Sequence, residues 1–255
     1  MTSKQRTDLI ERFIRTHKYA DLRILATRFD SSLSTVRRAL DQLEAKGVVR
    51  RHHGGASLVE TDVVAQEYDF IARNLRFPDE KFAIASLVAK EVHPGMTVIL
   101  DGGSTSYAVA RLLVDKRLQV ITNSLPVASL FSDVGSVETI VTGGTIYNRL
   151  GVALGPMCEE AFGQVHADLA VLGGAGITES GIWNHNALIV AAQRKMIAAA
   201  ERSVFALDNS KFGRKALNLT TPFDPRFTIV TNTQPPPAVT KAIRDAKSRL
   251  VLTKK

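Results

Sequence analysis

Residues 32–56 read SLSTVRRALDQLEAKGVVRRHHGGA, and a change of period inside that run decides the N-terminal fold. Leu33, Val36, Leu40 and Leu43 recur at helical spacing, Ser32 offers its hydroxyl as an N-cap, and Gly47 supplies a left-handed C-cap. After Gly47 the pattern turns β-prone. Val48 to His53 and Ala56 to Val59 flank Gly54-Gly55, which predicts a hairpin with a glycine turn. Upstream, Leu9, Ile10, Phe13 and Ile14 predict a helix over about residues 3–17. Asp21 can cap a second helix carrying Leu22, Leu25, Ala26 and Phe29. Only Asp30-Ser31 separates that helix from Ser32. Two short helices joined by so tight a turn, then a hairpin, make a winged helix-turn-helix, whose second helix enters the major groove by its N-terminal end.

With its apolar stripe buried, that helix turns Ser34, Thr35, Arg37 and Arg38 outward, followed by Asp41 and Gln42. Arginine pairs with guanine O6 and N7, and serine or threonine reaches bases or phosphates. Neighbouring arginines point about 100° apart, so one reads a base while the other holds the backbone. The DNA-binding set is therefore Ser32, Ser34, Thr35, Arg37 and Arg38, with Arg50, Arg51, His52 and His53 along the wing. Two adjacent histidines without further ligands nearby do not make a metal site. Charge agrees with a DNA-binding head: the chain is +8 overall, and residues 1–60 hold 12 Lys/Arg against 7 Asp/Glu, a net of +5. The expected partner is a double-stranded DNA operator.

The run from Ser32 to Ala56 resembles the DNA-binding domain of DeoR/GlpR-type bacterial transcription regulators, in which a T-[IV]-R-R-D-L-like string precedes a wing ending in H-G-G-A. Ala39 stands where that family usually has Asp, and Ser31 where it has an apolar residue.

Residues 1–59 thus form the DNA-binding domain, and 60–78, mixed in pattern and ending at Pro78, a linker. Over 79–255 strands and helices alternate, the mark of an α/β domain with a mostly parallel sheet. The segment after each strand is small and polar: Asp101-Gly102-Gly103-Ser104-Thr105-Ser106, Thr122-Asn123-Ser124, Thr142-Gly143-Gly144, Gly173-Gly174-Ala175-Gly176 and Asp208-Asn209-Ser210-Lys211. In a parallel sheet these loops share the carboxyl edge, where ligands bind. Gly102 to Ser106 reads as a phosphate cradle at a helix start. Lys211 supplies a nearby cation, and Asp101 and Asn123 offer partners for ligand hydroxyls. Gly143, Gly144, Gly174 and Gly176 complete the effector set, which suits a phosphorylated sugar or polyol.

LDGGST, VITNS, VTGG, GGAGI and LDNSKFG resemble successive motifs of the DeoR-type effector domain, which is similar in fold to ribose-5-phosphate isomerases. The resemblance implies a phosphosugar-controlled regulator, by family habit a repressor of carbohydrate or polyol genes. The competing reading is an isomerase-like enzyme with an accessory nucleic-acid-binding head. Such isomerases carry carboxylates in the loop matching Gly173 to Gly176. This loop has none, which leaves Asp101 as the remaining base and argues against catalysis.

The bulk composition, 45% hydrophobic and 23% charged, is that of a soluble globular protein. No eighteen-residue apolar run and no signal core is present, so the expectation is a cytoplasmic protein without membrane contact. A single cysteine, Cys158, excludes an internal disulfide and a multi-cysteine zinc site. No metal, cofactor or catalytic residue is expected, and helix-turn-helix logic implies a homo-oligomer, dimer or tetramer.

Overall fold

The computed structural model describes residues 3–17, 19–52, 54–58 and 70–253. They divide into two compact units, Met1–Leu75 and Arg76–Lys255.

The first unit comprises α1 (Ser3–His17), β1 (Tyr19–Asp21), α2 (Leu22–Arg28), α3 (Leu33–Ala45), β2 (Val49–His52), β3 (Gly55–Leu58) and α4 (Phe70–Leu75). Capping fixes α3 at both ends. Ser32 Oγ accepts from the Thr35 N–H at 3.2 Å. At the far end Gly47 takes φ +68°, with its N–H on Glu44 O (2.8 Å) and the Val48 N–H on Leu43 O (2.9 Å), which is a Schellman motif. Ile10, Ile14, Leu25, Val36, Leu40 and Leu43 are fully buried.

Three details differ from the sequence expectations. Leu33 is 41% exposed while Ala39 is 5% exposed, so the buried stripe is Val36, Ala39, Leu40 and Leu43, centred one step further round the helix. The three-residue β1, too short to leave a period in sequence, pairs with β3 to give the order β1-β3-β2. Gly55 lies in that sheet rather than in the turn, opposite His52 and Asp21. A Cβ there would sit 2.2 Å from Ala20 O, so close approach of β1 is what requires glycine. Gly54 lies in the turn, and His53 lies outside the described residues, as do residue 59 of the expected DNA-binding domain and 60–69 of the expected linker.

The second unit opens with α5 (Pro78–Lys90). Pro78 starts this helix instead of closing a linker, since its fixed φ and missing N–H suit a first turn. There follow β4 (Thr97–Leu100), α6 (Ser104–Arg111), β5 (Leu118–Thr122), α7 (Leu125–Phe131), β6 (Val137–Val141), the hairpin β7 (Thr145–Tyr147) and β8 (Val152–Leu154), then α8 (Pro156–Gly163) and β9 (Ala167–Leu172). The chain continues through β10 (Gly176–Thr178), β11 (Gly181–Asn184), α9 (Ala187–Ala199), β12 (Ala200–Ala206), β13 (Asn218–Thr221), β14 (Phe227–Thr231), α10 (Pro237–Asp245) and β15 (Arg249–Leu252).

Seven strands form one parallel sheet in the order β15-β14-β12-β9-β4-β5-β6. Alternate residues feed two cores. Ile99, Ala170, Leu172 and Phe205 face the core shared with α8, α9 and α10. Val98, Leu100, Val171 and Val204 face the core shared with α5, α6 and α7. Burial on both faces explains why these strands read as apolar runs without alternation. The chain builds outward from β4 through β5 to β6, then returns to β9 on the other side of β4. The β4–β9 crevice is therefore the topological switch point. The antiparallel strands β7-β8 and β10-β11-β13 decorate this sheet and leave no clear sign in the sequence.

Candidate DNA interface and effector site

In the first unit, Ser34, Arg37 and Arg38 are exposed along the start of α3, and Thr35 is half-buried. Ser32 Oγ sits 2.8 Å from both Ser34 Oγ and Thr35 Oγ1, so the cap and the two hydroxyls form one polar cluster at the leading end. An open groove of about 420 Å³ is lined by Leu22, Arg37, Arg51 and His52, joining helix and wing.

The wing residues are not equivalent. Arg50 is exposed. Arg51 is paired with Asp41 of α3, and its backbone N–H donates to Glu44 at 2.8 Å, which locks wing to helix and offsets its charge. His52 lies 3.0 Å from Ser57 Oγ. Burial, then the neighbouring Arg50, pull its pKa below the usual histidine value, with Glu44 opposing. Arg50 is thus the one of these three whose charge is neither paired nor suppressed among the described residues.

In the second unit the switch point carries the densest polar network. Asp101, 4% exposed, follows β4, and its N–H donates to Val171 O at 3.0 Å. Its carboxylate accepts from the Gly173 N–H at 3.2 Å and from Gln193 Nε2 at 2.7 Å. Gln193, 1% exposed, projects from α9 and is hard to single out in sequence because it sits within an apolar helical face. Gly103, with φ +142°, precedes α6 and gives it no side-chain cap. Ser104, Thr105 and Ser106 of its first turn are all buried.

Two buried polar atoms here make no geometric hydrogen bond among the described residues, Ser106 Oγ and Asn123 Oδ1, and the Asn123 side chain also borders the Cys158 thiol, where it opposes the effect of burial. Asn123 follows β5, and its Nδ2 donates to Ala153 O at 2.9 Å. The Ala153 N–H in turn donates to Asn123 O at 2.8 Å. The β7–β8 hairpin therefore roofs this part of the edge. A Cβ on Gly102 would lie 2.1 Å from Val152 Cγ1, so glycine there lets the roof close.

The other glycines have local packing reasons. A Cβ at Gly144 would meet Leu154 O at 2.6 Å, at Gly174 Ile182 Cγ2 at 2.9 Å, and at Gly176 Arg214 O at 2.0 Å. Gly143 abuts Met157, 3.2 Å from the same construction. Lys211 ends the 3-10 turn Asn209–Lys211, at the same edge but two strands from β4. A further buried cation, not singled out from the sequence, is Lys81, 5% exposed, whose ammonium donates to Arg76 O. It occupies the first turn of α5, which feeds β4 from the opposite edge and so starts on the loop-bearing side. Its signal was a lysine in the stripe Lys81, Ile84, Ala85, Val88. Cys158 is fully buried, accepts from Thr142 Oγ1 at 3.5 Å, and has its thiol pKa pushed up by burial. Among the described residues no three His, Cys, Asp or Glu gather as a metal site, and no helix is long and apolar enough to cross a membrane.

Comparison with known proteins covers both units. Residues 6–62 match the family model of the DeoR-like helix-turn-helix domain, and residues 76–233 that of the DeoR C terminal sensor domain. The chain is 29% identical over 254 residues to the glycerol-3-phosphate regulon repressor of Escherichia coli K12, covering 99% of this chain and 100% of that one. It is 32% identical to the L-fucose operon activator of Haemophilus influenzae, over 83% and 85%. It is 31% identical to the transcriptional repressor AccR of Agrobacterium fabrum, over 91% and 90%. Among solved structures, ribose 5-phosphate isomerase A from Methanocaldococcus jannaschii aligns with 52% of this chain and 54% of its own at 17% identity and a TM-score of 0.39, a likeness too slight to bear on chemistry.

Proposed function

This chain belongs to the DeoR family of DNA-binding transcriptional regulators, and on that premise we propose that it represses genes of carbohydrate or polyol metabolism until a phosphorylated sugar or polyol occupies the edge around Asp101. The observation that carries the effector site is the pair of buried, unpartnered atoms beside a helix start, Ser106 Oγ and Asn123 Oδ1. A buried polar group left without a hydrogen bond costs about 1–3 kcal/mol, and a ligand that displaces the β7–β8 roof and bonds both recovers that cost. The serine hydroxyl can donate to a phosphate oxygen, whereas Asn123 Oδ1 only accepts and so calls for a ligand hydroxyl. The pair therefore suits a ligand with both phosphate and hydroxyl groups. The first-turn N–H groups of α6 and the ammonium groups of Lys81 and Lys211 favour the anionic end.

On DNA, Ser34, Thr35, Arg37 and Arg38 meet the major groove and Arg50 the flanking backbone. Arg37, which lines the groove between helix and wing, is the base reader, and Arg38 holds phosphate. Two copies reading two half-sites make the working unit a homo-oligomer, which light scattering measures directly.

The test is two-stage. Selection from a random DNA pool yields the bound sequence, and a thermal-shift panel of phosphorylated sugars and polyols, glycerol 3-phosphate included, identifies the effector by RT ln(1 + [L]/Kd). A hit that also weakens binding to the selected DNA supports the reading. No shift with any phosphorylated compound overturns the effector site. Within the DNA arm, Arg37→Ala relaxes base preference by about 1–3 kcal/mol, while Arg38→Ala weakens all sequences alike.

A further inference from the structure

We propose that Gln193 is a positioning residue for effector recognition, fixing the Asp101 carboxylate and tying it to the antiparallel strands that carry Trp183. The inference rests on reading Asp101 as part of the effector site.

Both ends of this amide are fully engaged. Nε2 donates to Asp101 Oδ2 at 2.7 Å and to Gly173 O at 3.1 Å. These atoms belong to the loops after β4 and β9, so a single side chain from α9 spans the two walls of the switch-point crevice. Oε1 accepts from Asn184 Nδ2 and Thr220 Oγ1, each at 3.3 Å. Asn184 ends β11 and Thr220 lies in β13, two strands that pair with each other. An amide donates at one end and accepts at the other, so it alone among side chains of this length satisfies a carboxylate and two donors together. Glutamate would face Asp101 with a second acceptor, and leucine would leave the carboxylate one donor short, with the Gly173 N–H retained, and would strip Asn184 Nδ2 and Thr220 Oγ1 of their shared acceptor.

The consequence is a connection between ligand edge and decorating sheet. Buried networks of this kind have discrete hydrogen-bond arrangements instead of a continuous range. A ligand hydroxyl that draws on Asp101 changes what Gln193 holds, and β11 and β13 feel the change. Trp183 sits in β11 beside Asn184, with its Nε1 donating to Thr178 Oγ1 at 2.9 Å. It is the only tryptophan in the chain, so its emission reports on this sheet without labelling.

The experiment uses the full chain and needs no effector for its first arm. Hydrogen exchange is measured over residues 181–184 and 218–221, with 36–43 in α3 as an internal control. Trp183 emission is recorded on the same samples. Gln193→Leu raises exchange in the first two segments by roughly 10- to 100-fold, shifts the emission, and leaves the control unchanged. Gln193→Glu does the same through carboxylate repulsion. Adding Asp101→Asn to it brings both signals part of the way back, because the introduced amide donates to the introduced carboxylate, while the Gly173 N–H and carbonyl that shared those atoms stay unmatched. That suppression separates a direct Asp101 contact from a general packing defect and stands even if the leucine variant folds poorly. Unchanged exchange in the glutamate variant, or failure of Asp101→Asn to suppress it, overturns the proposal. In the second arm the phosphorylated panel is titrated against Trp183 emission. A compound that shifts the wild-type emission should shift that of Gln193→Leu at least tenfold less at equal occupancy, and an equal shift overturns the relay. If no compound binds the wild type, the effector site fails while the exchange data still judge Gln193.

Discussion

Ser106 and His52 show how a single side chain can carry a sign as well as a size. Ser106 Oγ is buried without a partner among the described residues, so Ser106→Ala removes a desolvated hydroxyl and no bond. Ligand-free stability should stay level or rise by up to about 1 kcal/mol, while affinity for the phosphorylated effector falls about tenfold. Thermal melts and titrations on one preparation check both, and a loss of ligand-free stability would mean the hydroxyl serves the fold. His52 has its pKa depressed by burial and Arg50. The unfolded chain therefore takes up this proton first as pH falls through about 6.5. Stability of the first unit is fully held above that value and declines below it until the folded state also protonates. Urea titrations of wild type and His52→Gln between about pH 7.5 and 5.5 should diverge in that sense, with the variant showing the flatter dependence.

At the scale of elements, the helix that meets DNA is set by its ends. Gly47 has φ +68° with open space where a Cβ would go, so Gly47→Ala incurs backbone strain alone, about 1–2 kcal/mol. Gly55→Ala, free of that backbone strain, instead meets Ala20 O and should cost at least as much. Chemical denaturation ranks the two, and a neutral Gly55→Ala would show that β1 can move away. These elements also mark what sequence could reveal. Ser32, Gly47 and the 3.6-residue stripe made α3 and its exposed arginines legible, because capping and periodicity are local. The strands of the parallel sheet were legible as apolar runs for the same reason. Leu33 was misplaced because a stripe at a helix start has no earlier turn to fix its phase. The three-residue strands β1, β7, β8 and β10 left no period at all. Gln193 was invisible because its partners Asp101 and Gly173 are joined to it only by the fold, whereas Lys81, bonded to the nearby Arg76, left the one local sign of a lysine in an apolar stripe. The glycines of the loops read alike in sequence, yet Gly103 opens a helix whereas Gly144, Gly174 and Gly176 admit a neighbouring chain segment.

For the whole molecule the relevant quantity is usable charge, which formal counting overstates. The chain carries +8, of which +5 falls in residues 1–60, and DNA affinity of such a protein must fall steeply with salt through counterion release. Only charges that are free to neutralise phosphate enter that slope. Arg51 is already matched by Asp41, and His52 is held toward its neutral form, so the described part of the wing contributes Arg50. Arg50→Ala should therefore lower the slope of log K against log salt by about 0.9 for each bound copy. Replacing the pair together, Asp41→Asn with Arg51→Gln, should leave the slope unchanged, although the wing loses a tie to α3. Binding to the selected DNA from about 50 to 200 mM salt separates these outcomes. A slope that drops equally for both variants would mean Arg51 leaves Asp41 for phosphate on binding, and the wing would then present two charges to DNA instead of one.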